Sequence, residues 1–236
     1  MAMVEAESAV RAARSAYAVL WDVDGVIIDS GEQHRKSWYG MAGERGFPYT
    51  DAEFWATFGM RNQEIIPRVF GVSDPVEVAA MADRKEELYR ELARAEAVAL
   101  PGARELLAAL HAAGYRQAIG SSAPVANIET IIELLGIGPA LDGFISGEHV
   151  THGKPAPDVF LAGATLLNVA PAHCLVIEDA PAGLQAARAG GMRCVAVRRA
   201  GQPDALGLEI ADRIVDTLRD LDVADVDTLL GVGAGE

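Results

Sequence analysis

The chain has 236 residues, half of them hydrophobic, which is enough to bury one large domain or a core with a smaller second domain. Its formal net charge of −14 disfavours nucleic acid and anionic membranes as partners, so an anionic substrate would need a local positive site. No apolar run approaches the roughly 18 residues that a membrane span needs, and the Ala-rich residues 1–16 lack the apolar stretch of a secretory signal.

The first predicted strand, Tyr17–Trp21, is a short apolar run that follows a frayed helix or leader over residues 1–16. The strand ends in Asp22-Val23-Asp24-Gly25, so two carboxylates and a glycine lie at the edge where open α/β sheets bind ligands. Because like charges this close repel, the pair indicates a nearby divalent cation. The alternative is a solvated loop whose glycine serves a turn.

The next block is helical throughout. No strand separates its predicted helices, which are Glu32–Arg45, Asp51–Thr57, Asn62–Phe70 and Val76–Ala95. An all-helical block after a first strand predicts an inserted second domain over residues 31–100, with Gly31 and Pro101-Gly102 as linkers. The alternative is that these helices merely pack on the sheet.

From Pro101 onward, strands and helices alternate. The predicted helices are Ala103–Ala113, Val125–Leu135, Asp158–Asn168 and Ala182–Ala189. The predicted strands are Gln117–Ser121, Gly143–Ser146, Cys174–Ile177, Arg193–Val197 and Arg213–Val215. This alternation predicts an α/β fold with a parallel sheet and right-handed crossovers. Cys174 and Cys194 fall in buried strands and are interpreted as reduced core thiols of a cytoplasmic protein.

Four groups of polar residues fall at the ends of these strands or in the loops after them. They are Asp22 with Asp24, Ser121, Lys154, and Glu178 with Asp179. If the sheet is parallel, all four converge on one edge, where their chemistry is complementary. Asp22 can attack an electrophile, and Asp24 can give a proton to a leaving group and then take one from water.

The remaining members of this set suit a phosphate and a metal. Glu178 and Asp179 add acidic ligands for a hard cation such as Mg²⁺. Ser121 can donate a hydrogen bond to a phosphoryl oxygen, and Lys154 can hold an anionic nucleophile beside an anionic phosphate. Lys154 lies between a glycine and a proline that would fix its direction, and the alternative is a solvated surface lysine.

These residues, in this order, resemble the haloacid dehalogenase superfamily of phosphotransferases over roughly residues 17–215. Its four motif regions match DVDGV, IGSS, GKPAPD and VIEDAPAG. The resemblance implies a Rossmann-like, doubly wound core over residues 1–30 and 101–236, with a helical cap over residues 31–100.

The resemblance also implies roles for the motif residues. Asp22 would be the nucleophile that forms an aspartyl-phosphate, with Asp24 as the acid and base. Mg²⁺ would be bound by Asp22, the carbonyl of Asp24 and Asp179, with Glu178 at or beside the ion. Ser121 and Lys154 would hold the transferred phosphate, and Ser122 would bind the substrate.

Within the superfamily, the predicted cap is similar to that of the β-phosphoglucomutase subfamily. The match places His34 at a cap-hinge histidine, Arg61 at a phosphate-binding arginine and Lys85 at a substrate-gating lysine. The sequence departs from this subfamily after the second motif. The mutase carries Ser-Lys-Asn there to help hold the phosphate that is not transferred, whereas this chain has Ala123-Pro124-Val125. The departure favours simple hydrolysis.

The favoured function is a Mg²⁺-dependent phosphatase that acts through an aspartyl-phosphate on a small phosphorylated metabolite such as a sugar phosphate. The alternative is a phosphosugar mutase on the same scaffold. A binding protein on an inactive scaffold should have lost a catalytic carboxylate or Lys154. A dehalogenase does not need Asp24, Glu178 and Asp179. The protein is expected to be a monomer in the cytoplasm, without nucleic acid or membrane partners.

Overall fold

The structure, a computed structural model, describes residues 2–57, 60–198 and 207–233. The chain divides into two compact units, a larger one comprising Met1–Ile28 with Val98–Glu236 and a smaller one comprising Asp29–Ala97. Among the described residues, no helix combines the length and the apolar character that a membrane crossing requires.

A parallel sheet of six strands in the order β3-β2-β1-β4-β5-β6 forms the centre of the larger unit. The strands are β1 (Ala18–Trp21), β2 (Arg116–Gly120), β3 (Gly143–Ile145), β4 (Cys174–Glu178), β5 (Arg193–Val197) and β6 (Arg213–Val215). The strand order runs outward from β1 to β3 and then returns to β4 beside β1. The chain therefore reverses its direction of winding between β1 and β4, where such sheets bind ligands. The predicted α/β fold is confirmed.

The register of the central strands aligns their carboxyl ends. Trp21 on β1 is opposite Ile119 on β2 and Ile177 on β4. The backbone amide of Asp22 continues this pairing by donating to the carbonyl of Ile177 at 3.0 Å. The residues that follow these three strands therefore come together at one edge of the sheet.

Four helices form the described part of the smaller unit. They follow α1 (Ala2–Arg14) along the chain and are α2 (Gly31–Arg45), α3 (Asp51–Thr57), α4 (Asn62–Phe70) and α5 (Pro75–Glu96). They pack around an apolar cluster that includes Met41, Ile66 and Met81. The prediction of Gly31 as a linker was wrong, because helical hydrogen bonding starts at the carbonyl of Ser30, which accepts from the amide of His34 at 2.9 Å.

Among the residues that the structure describes, the larger unit continues with the helices α6 (Ala103–Ala113), α7 (Val125–Leu135), α8 (Asp158–Leu167), α9 (Pro181–Ala189) and α10 (Val223–Leu230). Phe160 of α8 and Leu184 of α9 pack with Leu20 on one face of the sheet. On the opposite face, the Gln117 side chain donates to the carbonyl of Leu107 in α6 at 2.9 Å. Helices therefore cover both faces, as a doubly wound fold requires. Cys174 and Cys194 are buried and form no disulfide.

The two segments that connect the sheet to residues 29–97 lie side by side. Ile28 and Ala99 form an isolated antiparallel bridge, and the amide of Leu100 donates to the carbonyl of Ile27 at 2.9 Å. The chain therefore leaves the larger unit and re-enters it along one short paired stretch.

Candidate active site

Asp22 lies directly after β1, and its side chain is 10% exposed. The chain then turns back on itself: the amide of Ile27 donates to the carbonyl of Val23 at 2.9 Å, and the amide of Gly25 to the carbonyl of Ile28 at 2.8 Å. Gly25 has a φ of 82°, a conformation that side chains disfavour. This turn keeps Asp24, which is partly exposed, beside the buried Asp22.

Lys154 reaches Asp22 from the loop between β3 and α8. Its Nζ donates to Oδ1 of Asp22 at 2.7 Å and to Oε1 of Glu178 at 2.7 Å, and its side chain is 9% exposed. The ammonium also lies 4.8 Å from the centre of the Phe160 ring. The alternative of a solvated surface lysine was therefore wrong, and Lys154 is a buried cation between two carboxylates.

Glu178 is the last residue of β4, and its side chain is oriented by hydrogen bonds to both of its carboxylate oxygens. Oε2 accepts from the backbone amides of Asp179 at 2.7 Å and Ala180 at 2.6 Å, while Oε1 accepts from Lys154. A Cβ on Gly183 of α9 would lie 1.8 Å from Oε1 of Glu178. Only a glycine at this position leaves room for the carboxylate, so the fit depends on Gly183 as much as on Glu178.

The titration of the buried groups reflects this crowding of charge. Burial raises the pKa of Asp22 to about 7 against the opposing pull of Lys154, and Glu178 and Asp24 add to the rise. For Lys154, burial acts to lower the pKa, but the carboxylates of Asp22 and Glu178 outweigh it and raise the pKa above its usual value. Lys154 therefore carries a permanent positive charge at neutral pH.

The acidic residues at this edge fit a hard divalent cation. Carboxylate oxygens of Asp22, Glu178 and Asp179 lie within 4.8 Å of one another, and all three residues are buried. Mg²⁺ prefers oxygen ligands of this kind, and a cluster of buried carboxylates with one lysine carries more negative charge than positive. The donor set is therefore suited to Mg²⁺.

Ser121 directly follows β2, and its loop is held by Ser146, the residue that directly follows β3. The Ser121 hydroxyl accepts from the amide of Ala123 at 3.1 Å, and the buried Ser146 hydroxyl donates to the carbonyl of Ala123 at 2.8 Å. A Cβ on Gly147 would lie 2.5 Å from the carbonyl oxygen of Ser122, which is exposed. Ser146 and Gly147 were not predicted as part of the site. The signal in the sequence that could have indicated them is a small polar residue followed by a glycine at the end of a strand.

Two predicted residues of the smaller unit, His34 and Lys85, belong to a polar cluster with Asn62 and Glu86, in which Lys85 and Glu86 are buried and the other two are half-buried. Nζ of Lys85 lies 2.9 Å from Nδ1 of His34 and donates to Oε1 of Glu86 at 2.8 Å. Arg61 precedes α4, next to Asn62. The sequence-based prediction names His34, Arg61 and Lys85 but not Asn62 or Glu86. Glu86 gives little signal, since adjacent charged residues on a helix are usually solvated.

Residues 17–191 match the haloacid dehalogenase-like hydrolase family. The chain is 34% identical over 182 residues to the Escherichia coli protein "Fructose-1-phosphate phosphatase YqaB", covering 76% of this chain and 95% of that protein. It is also 34% identical over 186 residues to the Arabidopsis thaliana protein "Protein SUPPRESSOR OF QUENCHING 1, chloroplastic", covering 77% of this chain but only 18% of that longer protein.

Among solved structures, the chain is similar to the β-phosphoglucomutase from Clostridium difficile. The two share 27% sequence identity with a TM-score of 0.78, and the match covers 91% of this chain and 97% of the other. The similarity extends over both compact units, since it includes nearly the whole of each chain.

Proposed function

This chain belongs to the haloacid dehalogenase-like hydrolase family, and on that premise we propose that it is a Mg²⁺-dependent phosphatase of a small phosphorylated metabolite such as a sugar phosphate. The family match agrees with the resemblance that the four motifs carry. The observation that supports the proposal most is the placement of Asp22, whose carboxylate is 2.7 Å from Lys154 beside the buried Glu178 and Asp179. A buried nucleophile with a fixed cation next to it suits an anionic electrophile.

In the proposed first step, a carboxylate oxygen of Asp22 attacks the phosphorus of the substrate and forms an aspartyl-phosphate. The bond from phosphorus to the leaving oxygen breaks as Asp24 gives that oxygen its proton. Lys154 and Ser121 bind the oxygens of the phosphoryl group while it transfers, and Lys154 offsets the repulsion between this group and the Asp22 carboxylate.

In the second step, water attacks the phosphorus of the aspartyl-phosphate, and the bond from phosphorus to the carboxylate oxygen of Asp22 breaks. Asp24, now a carboxylate, takes a proton from that water, so the step releases inorganic phosphate and restores both aspartates to their starting states. Asp24 suits this exchange because it is partly exposed, whereas Asp22 is buried.

Mg²⁺ would be held by Asp22, the main-chain carbonyl of Asp24 and Asp179, with Glu178 at or beside the ion. When bound, it would neutralise charge on the transferred phosphoryl group. Glu178 also orients Lys154 through its Oε1 atom, which lies 2.7 Å from Nζ. Both oxygens of Glu178 already accept hydrogen bonds within the protein, and this favours a place for it beside the ion.

The remote part of the substrate is proposed to contact His34, Arg61, Lys85 and Ser122. The relative YqaB is named as a fructose-1-phosphate phosphatase, and a second Escherichia coli relative, 31% identical, is named "Hexitol phosphatase A". These names favour a phosphorylated sugar or polyol as the substrate. We further propose that the protein acts as a cytoplasmic monomer, without nucleic acid or membrane partners.

The second candidate is a phosphosugar mutase, which the similarity to the Clostridium difficile β-phosphoglucomutase supports. A mutase must hold a bisphosphate intermediate at both ends. In the loop after β2, however, the Ala123 amide is bonded to Ser121, Pro124 has no amide hydrogen, and the Val125 amide donates to Glu148 at 3.3 Å. This loop offers a second phosphate little to bind, so hydrolysis remains favoured.

The deciding experiment measures both reactions on purified protein with Mg²⁺. A panel of sugar and polyol monophosphates is screened for phosphate release, and β-glucose 1-phosphate with a bisphosphate primer is tested for conversion to glucose 6-phosphate. Release of phosphate, abolished in Asp22→Asn, is the expected result. Efficient primer-dependent isomerisation with little phosphate release would instead establish the mutase, and no reaction with any phosphate ester would refute both.

A further inference from the structure

Glu86 accepts two hydrogen bonds inside the smaller unit, where the mechanism assigns it no role. Its Oε1 accepts from Nζ of Lys85 at 2.8 Å and from Nδ2 of Asn62 at 2.7 Å. The side chains of Lys85 and Glu86 are only 3% and 9% exposed. Burying such a pair costs desolvation free energy that an apolar pair would not incur, so its presence calls for an explanation beyond stability.

The donors of Lys85 are directed to groups within the smaller unit. Because an ammonium only donates, the contact of 2.9 Å with His34 makes Nδ1 of the imidazole an acceptor. The His34 ring stacks on Tyr89 with 4.1 Å between ring centres. The ammonium also lies 5.5 Å from the ring centres of both Trp38 and Tyr89. Glu86 is the anion that cancels its charge.

Arg61, unlike Lys85, has a nitrogen that donates no hydrogen bond to the part of the chain that the structure describes. Among the described residues, its Nη2 atom is buried and has no hydrogen-bond partner. A buried guanidinium nitrogen without an acceptor is costly, so this atom is suited to an oxygen of a bound molecule. Of the two cations assigned to substrate binding in this unit, Arg61 is thus the one with a donor to offer.

We infer that Glu86 makes the protein prefer monophosphates over bisphosphates. Glu86 offsets the positive charge of Lys85. Of the two cations assigned to the substrate's remote end, this leaves Arg61 as the one whose charge is not offset. This inference rests on the proposed function and narrows it. A second phosphate is close to a dianion at neutral pH, and Arg61 alone offsets only part of that charge. The hydroxyl groups of a sugar or polyol need donors and acceptors but no second charge.

The test compares fructose 1-phosphate with fructose 1,6-bisphosphate, which share the phosphate nearest the carbonyl carbon. Glu86→Gln keeps an acceptor for Lys85 and Asn62 and removes the negative charge. The ratio of kcat/KM for the bisphosphate to that for the monophosphate should rise about tenfold, mainly through a lower KM for the bisphosphate. A purely structural role would change both substrates alike.

Glu87→Gln is the matched control, because the neighbouring Glu87 lies on the exposed side of α5 and pairs with Arg84 at 3.0 Å. It makes the same charge change and should leave the ratio as it is. Glu86→Asn makes the same charge change with a shorter amide and should raise the ratio in the same direction. This second variant keeps the test valid if Glu86→Gln folds poorly.

Binding of the two sugars by titration calorimetry gives the same ratio without turnover. If no phosphate ester is hydrolysed, the proposed function fails, while the binding ratio still decides the role of Glu86. A ratio that is equal in the original protein and Glu86→Gln would overturn the inference, as would an original protein that binds the bisphosphate more tightly. A rise in Glu86→Gln that Glu87→Gln does not show would support it.

Discussion

Nζ of Lys154 lies 2.7 Å from Oδ1 of Asp22, across 132 residues of chain. Replacing this lysine with methionine should leave the carboxylates of Asp22, Glu178 and Asp179 buried together without their cation. We expect kcat/KM for phosphate release to fall about a hundredfold or more in Lys154→Met. The free energy of unfolding should fall by about 3 kcal/mol, because breaking a buried pair leaves uncompensated charge.

Two comparisons make this prediction specific. Mg²⁺ should raise the melting temperature of Lys154→Met more than that of the original protein, since the ion replaces part of the missing charge. Lys36→Met removes an exposed lysine that pairs with Glu96 at 2.8 Å, and it should leave activity unchanged. Normal turnover in Lys154→Met would contradict the role assigned to Lys154.

The metal prediction concerns the carboxylate cluster. Activity should vanish in EDTA and return with Mg²⁺, because Asp22 and Asp179 repel the substrate phosphate without the ion. Ca²⁺ should bind but restore little activity, since its looser coordination spoils the alignment of attack. Asp179→Asn should also abolish the rise in melting temperature on adding Mg²⁺. Full activity in chelator would contradict the proposed metal site.

Gly183 is the tightest contact of the site. In Gly183→Ala, the new Cβ would lie 1.8 Å from Oε1 of Glu178, so the carboxylate must move away from Lys154. We expect at least a tenfold loss of kcat/KM and a destabilisation of about 1–3 kcal/mol, measured by phosphate release and urea unfolding. Gly43→Ala makes the same change in α2, where nothing lies within 4 Å, and should be neutral or slightly stabilising. Equal behaviour of the two variants would rule out the packing role.

Arg61 is predicted to bind the remote part of the substrate. Arg61→Ala should raise KM and lower kcat together, by about tenfold each, because remote binding energy contributes to the chemical step. Steady-state kinetics on the substrate found by the panel measure this. Arg68→Ala, at an exposed position of α4, is the control and should match the original protein. If KM rises while kcat stays unchanged, Arg61 binds the substrate without contributing to the chemical step, and this part of the prediction is wrong.

The pH dependence of stability should contain a contribution from Glu86. Burial acts to raise its pKa, but the attraction of Lys85 and His34, together with the hydrogen bonds from Lys85 and Asn62, outweighs burial and lowers the pKa from 4.5 to about 2. Because the folded pKa is the lower one, the stabilisation is complete above pH 4.5 and is lost as the pH falls toward 2. This pKa shift corresponds to a contribution of about 3 kcal/mol to the free energy of unfolding. Urea unfolding should show the original protein losing stability relative to Glu86→Gln in this interval, and parallel curves would contradict it.

Most elements could be predicted because each carries its own local signal. The bounds of α6, α7 and β5 agree with prediction, since apolar periodicity, glycine stops and β-branched runs mark them. Helix α10 was missed. It is eight residues long, and the side chain of Asp227 within it accepts from Arg14 at 2.6 Å and from Tyr115 at 2.6 Å. Such a short helix depends on contacts with distant residues, which no local pattern contains.

The site was predictable to the extent that its residues end strands. The position of Asp22 and Glu178 follows from the parallel register, which places Trp21 opposite Ile177. The pairing of Glu86 with Asn62 does not, because the two residues are 24 positions apart and lie on different helices, α5 and α4. The bracing of Ala123 by Ser146 likewise depends on how two loops meet, which the strand pattern leaves open.

The bridge between Ile28 and Ala99 holds the two ends of the inserted helices as close together as neighbouring strands. An insertion whose ends already meet adds little loop-closure entropy to the folding of the sheet, whatever its length. The larger unit could therefore accept a helical segment of another size or sequence at this point without any change in β1. The residues at the sheet edge and the inserted helices could then change independently during evolution. The paired stretch makes this possible because the fold of the larger unit does not depend on which helices are inserted there.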